Sequence, residues 1–132
     1  MPLIRDAAAR YGLPAAGLAE LIGLESGFQN IRNRGGPGGR PASSAGGLGQ
    51  QIAANPYLHG RSRFLPEVSI AAAAEEFATR LHAAGGDLAT AADGYGTTHK
   101  LAPAVRRVKL AALRRAFGTP DEIAFTSNRK RT

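Results

Sequence analysis

Apolar residues in this chain recur mainly at helical spacing, in stretches opened by proline and closed by glycine. Leu18, Leu21 and Ile22 lie seven, four and three residues before Glu25, so a period of 3.6 residues stacks all four on one face. Pro14 opens that helix and Gly27 closes it. Residues 2–11 predict a short helix stopped by Gly12. Pro66 opens a longer one in which Ile70, Ala74, Phe77 and Leu81 share a face, with Glu75, Glu76 and Arg80 off it, ending near Gly85 and Gly86. Asp87 is placed as the N-cap of a short helix through Ala92. Pro103 begins the last helix, with Val105, Val108, Ala112 and either Leu113 or Phe117 turned inward and a basic outer face. Residues 30–49, rich in glycine with Pro37 and Pro41, read as a loop by composition.

With 132 residues the chain suits one domain around one core, and its abundant alanine favours closely packed helices. The expected fold is mainly α, a helical domain over residues 1–118 with a loop or small hairpin beside a cleft, followed by a basic, flexible tail over 119–132. No repeat and no second domain are expected. The absence of cysteine excludes disulfides and thiolate metal sites. His59, His82 and His99 are too far apart in sequence for a local ligand pair and read as surface or capping residues. No glycine cluster here follows a strand and precedes Gly-Lys-Ser/Thr, so no phosphate-binding loop is read. No apolar run is long enough to span a bilayer, and the first residues lack the basic start and apolar stretch of a signal peptide.

Glu25 is the residue with the clearest chemical promise. A carboxyl presented from an apolar face at a helix C-terminus is penalised when ionised, by lost hydration and by the negative end of the helix dipole. Its pKa should therefore rise, as a general acid working at neutral pH requires. On its own this pattern is more often a partly solvated side chain or half of an ion pair, so the case depends on what surrounds it.

The order of residues resembles the soluble lytic transglycosylases, lysozyme-like enzymes that cleave the glycan strands of bacterial peptidoglycan. The resemblance spans roughly residues 3–117. Tyr11-Gly12-Leu13-Pro14 leading into Leu21-Ile22-Gly23-Leu24-Glu25-Ser26-Gly27-Phe28 is similar to the family's helix ending in Glu-Ser. Ser43-Ser44-Ala45-Gly46-Gly47-Leu48-Gly49-Gln50 is similar to its Gly-Leu-Met-Gln block, with Gly49 in place of the methionine. Asp93-Gly94-Tyr95-Gly96 stands where the family has Ala-Tyr-Asn-Ala-Gly, followed by the closing helix around Val105-Arg106-Arg107-Val108.

The resemblance implies that Glu25 is the catalytic acid and then base, that Ser26 and Tyr95 orient it, and that Ser44, Gly47 and Gln50 help to hold the sugar. It implies cleavage between N-acetylmuramic acid and N-acetylglucosamine with a 1,6-anhydro product, and no cofactor or metal. A lysozyme-type hydrolase is the nearest alternative and would need a second acid, with Asp93 and Asp87 the candidates. A wall-binding or assembly module of a phage or secretion apparatus, without turnover, is a further one. The expected partner is the peptidoglycan glycan strand, acted on by a monomer in the periplasm or cell wall. Without a signal pattern, the chain is expected to be an excised or mature domain, a phage component or the cargo of a specialised export system.

The formal net charge is +7, with much of the excess on the last helix and tail. Such a surface attracts polyanions. Dedicated nucleic-acid binding is not expected, because the basic residues are not interleaved with aromatics.

Overall fold

The computed structural model describes residues 2–30 and 45–118. The tail expected over 119–132, Ser44, and most of the loop expected over 30–49 lie outside the described residues. Those residues form a mainly helical structure: α1 (Pro2–Tyr11), α2 (Ala15–Ser26), a single 3-10 turn (Pro56–Leu58), α3 (Pro66–Ala83), α4 (Leu88–Tyr95) and α5 (Pro103–Phe117). The β pairing among them is one antiparallel bridge between Gly46 and Gln51. No helix among the described residues is long and apolar enough to cross a membrane.

Helix α3 runs through the middle and packs against α1, α4 and the 3-10 turn. Its Ala72, Ala73 and Ala74 are fully buried, and such small side chains let neighbouring helices approach closely. Phe77 is the largest fully buried side chain. Its ring meets Phe117 of α5 at 5.3 Å and Tyr95 of α4 edge-on at 6.1 Å, so three helices converge on it. Helix α5 returns along α2, where a Cβ on Gly17 would stand 2.7 Å from the Phe117 ring. Glycine at 17 is what lets the two helices close.

Two side-chain assignments are corrected by the structure. Val105 and Val108 do not face inward; they are 47% and 68% exposed, and Ala112 is half-buried. The buried stripe of α5 is Leu110, Leu113 and Phe117. Leu113 and Phe117 are inward, as expected of one or the other, and Leu110 rather than the two valines shares their face, because it stands three and seven residues before them and a leucine removes more apolar surface from water than a valine. Glu76, read as lying off the apolar face, is only 6% exposed. Its two oxygens accept from Asn55 Nδ2 at 2.9 Å and Arg80 Nε at 2.8 Å, which makes its burial tolerable.

The short helix behind Asp87 continues past Ala92 to Tyr95, because the cap that ends it is Gly96 at φ 103°. Asp87 occupies the N-cap position, and its carboxylate accepts from the Thr90 hydroxyl at 2.5 Å.

Replacing the Phe117 ring should empty the junction of α2, α3 and α5. Phe117→Ala is expected to cost about 3–5 kcal/mol, read as a lower urea midpoint with an unchanged slope.

Candidate functional site

The site is built where two helices end side by side. Helix α2 stops at Gly27, whose φ of 60° turns the chain and whose N–H donates to Gly23 O at 2.8 Å. Glu25 therefore sits in the last turn, half-buried, where the helix's own dipole adds nothing to hold a negative charge. Helix α4 stops at Gly96, and the chain reverses so that Thr97 and Thr98 turn inward, 5% and 0% exposed.

Those threonines set the polar geometry. Thr97 Oγ1 donates to Glu25 Oε1 at 2.5 Å, joining residues 72 apart in sequence. Thr98 Oγ1 donates to Asp93 Oδ1 at 2.5 Å, and Arg106 Nη2 pairs with Asp93 Oδ2 at 2.9 Å. Asp93 thus ties α4 to α5 and holds the reversed segment in place.

Burial pushes the Glu25 carboxyl up from 4.5 to about 7, with Glu76 adding to the rise; the Thr97 hydrogen bond and the positive charge of Lys109 oppose it. Burial wins because the opposing hydrogen bond is a single one. Asp93 goes the other way: the hydrogen bonds from Arg106 and Thr98 hold its carboxyl below the usual carboxylate range. Asp87 is also held low, chiefly by the Thr90 hydroxyl. One acid is therefore poised near neutrality while the two aspartates stay ionised.

Tyr95 does not bond to Glu25. Its hydroxyl donates to the carbonyl of Gly49 at 2.7 Å, which fastens α4 to the 45–51 turn. Burial, with Glu25 and Glu76 nearby, pushes its ionisation well above the ordinary tyrosine value, so it is a donor throughout the physiological range. Ser26 does not reach Glu25 either. It donates to Ile22 O at 3.0 Å and accepts from Phe28 N at 3.2 Å, a local bond pattern common for serine at a helix end.

The turn itself is held from beneath. Gln51, 3% exposed, accepts from Ser69 Oγ at 2.7 Å and donates to Ser69 O at 2.9 Å, while Gly49 N donates to Ser69 Oγ at 2.9 Å. Gly47 has φ 75°, and a Cβ there would stand 2.1 Å from Arg63 O, so only glycine fits. Gln50 is half-buried, with φ 51°, and its Nε2 donates to Gly47 O at 2.8 Å. Of these two glutamines, Gln51 is the buried one that anchors the turn to Ser69, and Gln50 is the half-buried one that bonds within the turn to Gly47.

Of the residues singled out from sequence, Glu25, Tyr95, Gly47 and Gln50 are brought into one region through Thr97 and Gly49. Ser26 is turned back on its own helix, and Ser44 lies outside the described residues. Sequence reading missed Thr97, Thr98, Ser69, Gln51 and the buried Glu76. The available signal for the first two was two β-branched hydroxyl residues directly after a helix-stopping glycine, where the reversed chain must go inward and each hydroxyl needs a partner. Among the described residues no three His, Asp or Glu side chains converge in a way that would hold a metal ion.

The Glu25 carboxyl should titrate near pH 7 by carbon-13 NMR. Thr97→Val, which removes the donor favouring the ionised form, should move that midpoint higher. Because the folded carboxyl binds its proton more tightly than the unfolded one, its contribution to stability is full below about pH 4.5 and is lost as pH rises to about 7. Glu25→Gln should therefore match the parent at pH 4 and exceed it at pH 8, by on the order of 3 kcal/mol in urea unfolding.

No family model, no curated protein and no solved structure matches this chain, so the meaning of the site rests on its own geometry and on the sequence resemblance.

Proposed function

We propose that this protein is a peptidoglycan lytic transglycosylase in which Glu25 serves first as acid and then as base. The observation that carries the reading is a half-buried glutamate at a helix end, held by one hydroxyl and raised to about 7, while Asp93, which clamps the adjoining segment, is already paired.

Thr97 occupies Oε1 of Glu25, which leaves Oε2 to carry the transferable proton. In the proposed reaction that proton goes to the glycosidic oxygen as the bond from the muramic acid C1 to it breaks. The carboxylate so formed takes the proton of the muramic acid 6-hydroxyl as O6 closes on C1. Glu25 ends protonated, water is not consumed, and the product is a 1,6-anhydro sugar. The substrate's own N-acetyl group can stabilise the positive charge at C1, so a second carboxylate is not required, unlike the paired-acid glycosidases.

The neighbouring acids support the single-carboxyl scheme. Asp93 is bound by Arg106 and Thr98. Asp87 stands at the other end of α4, about 12 Å away along an eight-residue helix. Glu76 has hydrogen bonds on both oxygens. A hydrolase of this architecture would have to free one of them to activate water. The turn over residues 45–51, with backbone groups near Gly47 to Gly49, and Gln50 is the proposed place for the sugar, with periplasm or cell wall as the site of action.

Glu25→Gln should abolish clearing of purified sacculi while circular dichroism stays unchanged; full clearing by the variant would overturn the assignment. Activity of the parent should fall as pH rises through about 7, as the acid loses its proton. Mass spectrometry of released muropeptides should show anhydro ends. Reducing ends would mean a hydrolase, and binding to sacculi without any release would mean a module without turnover.

A further inference from the structure

The charge of the protein is distributed unevenly. Helix α5 carries Arg106, Arg107, Lys109, Arg114 and Arg115 and no acidic residue, whereas the other described residues hold eight acidic and six basic side chains. The positive excess of the described residues is therefore confined to one helix.

One stripe of that helix, Pro103, Arg106, Arg107, Leu110 and Arg114, lines with Leu101 an open groove of about 450 Å³. Its lining combines three aliphatic side chains with three arginines. Asp93 fixes Arg106 at 2.9 Å, and Arg114 lies within electrostatic reach of Asp87. Arg107 is exposed and makes no ion pair with another described residue. Arg107 and Arg114 are two turns apart, so they project from one side of α5 at about 10 Å separation along the axis. Lys109, the basic residue of α5 that acts on Glu25, lies round the helix from them, and of the residues lining the groove only Arg106 reaches toward the Glu25 site, through its pair with Asp93.

We propose that this groove is a second binding site, which holds a flexible phosphodiester-linked wall polymer by its phosphates. The choice of a wall polymer rests on the wall-directed reading above; the groove itself does not. Guanidinium groups pair with phosphate through two parallel hydrogen bonds. A rigid helix that offers them two turns apart meets successive phosphates of a flexible chain, and the aliphatic C–H surface of its polyol linkers suits Leu101, Pro103 and Leu110. A single-stranded nucleic acid would also supply phosphates, but nothing lining the groove has a ring face on which bases could stack. Occupied in this way, the groove would keep the enzyme on the wall while the Glu25 site works along neighbouring glycan.

The full chain should be titrated into fluorescently labelled poly(glycerol phosphate) and followed by anisotropy. Binding should weaken at least tenfold between about 50 and 200 mM salt, as expected when phosphates are neutralised and counterions released. Arg107→Glu combined with Arg114→Glu should weaken it at least tenfold with unchanged circular dichroism. Arg5→Glu with Arg115→Glu makes the same change in net charge at exposed positions off the groove and should stay within about twofold. An equal loss in that control, no binding by the parent chain, or equal or tighter binding of labelled oligothymidylate would each overturn the proposal. Muropeptide release is scored separately: binding without cleavage defeats the catalytic reading and leaves the groove standing, and cleavage without binding does the reverse.

Discussion

A single hydrogen bond, from Thr97 Oγ1 to Glu25 Oε1, joins the ends of α2 and α4, and the character of the site depends on it. Through it one oxygen of a half-buried acid is taken by a hydroxyl donor. The bond exists only because Gly96 reverses the chain after α4 and because Asp93 clamps the reversed segment through Thr98 on one side and Arg106 on the other. Glu25 is thus positioned by groups from α4, α5 and the segment between them, none adjacent to it in sequence.

The same arrangement separates the acids by environment. Glu25 meets burial and one neutral donor, so its proton is retained to about 7. Asp93 meets a guanidinium and a hydroxyl, so it stays charged. Lys109 and Glu76 act on Glu25 in opposite senses, one favouring and one opposing ionisation. In the proposed chemistry this matters because one group must give a proton and take one back, which needs an acid neither strong nor weak at the working pH. Helix α5 serves both ends of the molecule's chemistry: Arg106 and Lys109 toward the site, Arg107 and Arg114 toward the groove.

Much of the architecture was legible from residue order. Proline and glycine mark the limits of α2, α3 and α5 to within a residue or two, since their backbone constraints act locally and do not depend on partners. Glu25 was legible for the same reason: the spacing from Leu18, Leu21 and Ile22 already places it on the packed face. On α5 the pattern misplaces Val105 and Val108 while it places Leu113 and Phe117 correctly, because apolar residues of equal period stand on two faces there and periodicity does not rank them. Glu76 was read as outward because its burial depends on Asn55, 21 residues away, and on Arg80.

Sequence by itself determined a mainly helical chain, the helix that ends at Glu25, the glycine-rich turn that precedes Gln50 and Gln51, and a basic last helix. These follow from short-range backbone preferences, periodicity and composition. Tertiary structure alone decided that Thr97 rather than Ser26 or Tyr95 holds the carboxyl, that Tyr95 fastens the turn through Gly49, and that Gln51 is the buried glutamine. The physical reason is that a buried polar group takes whichever partner the packing of distant helices brings within about 3 Å, and that distance is set by rotation and approach of whole elements, which no local pattern encodes.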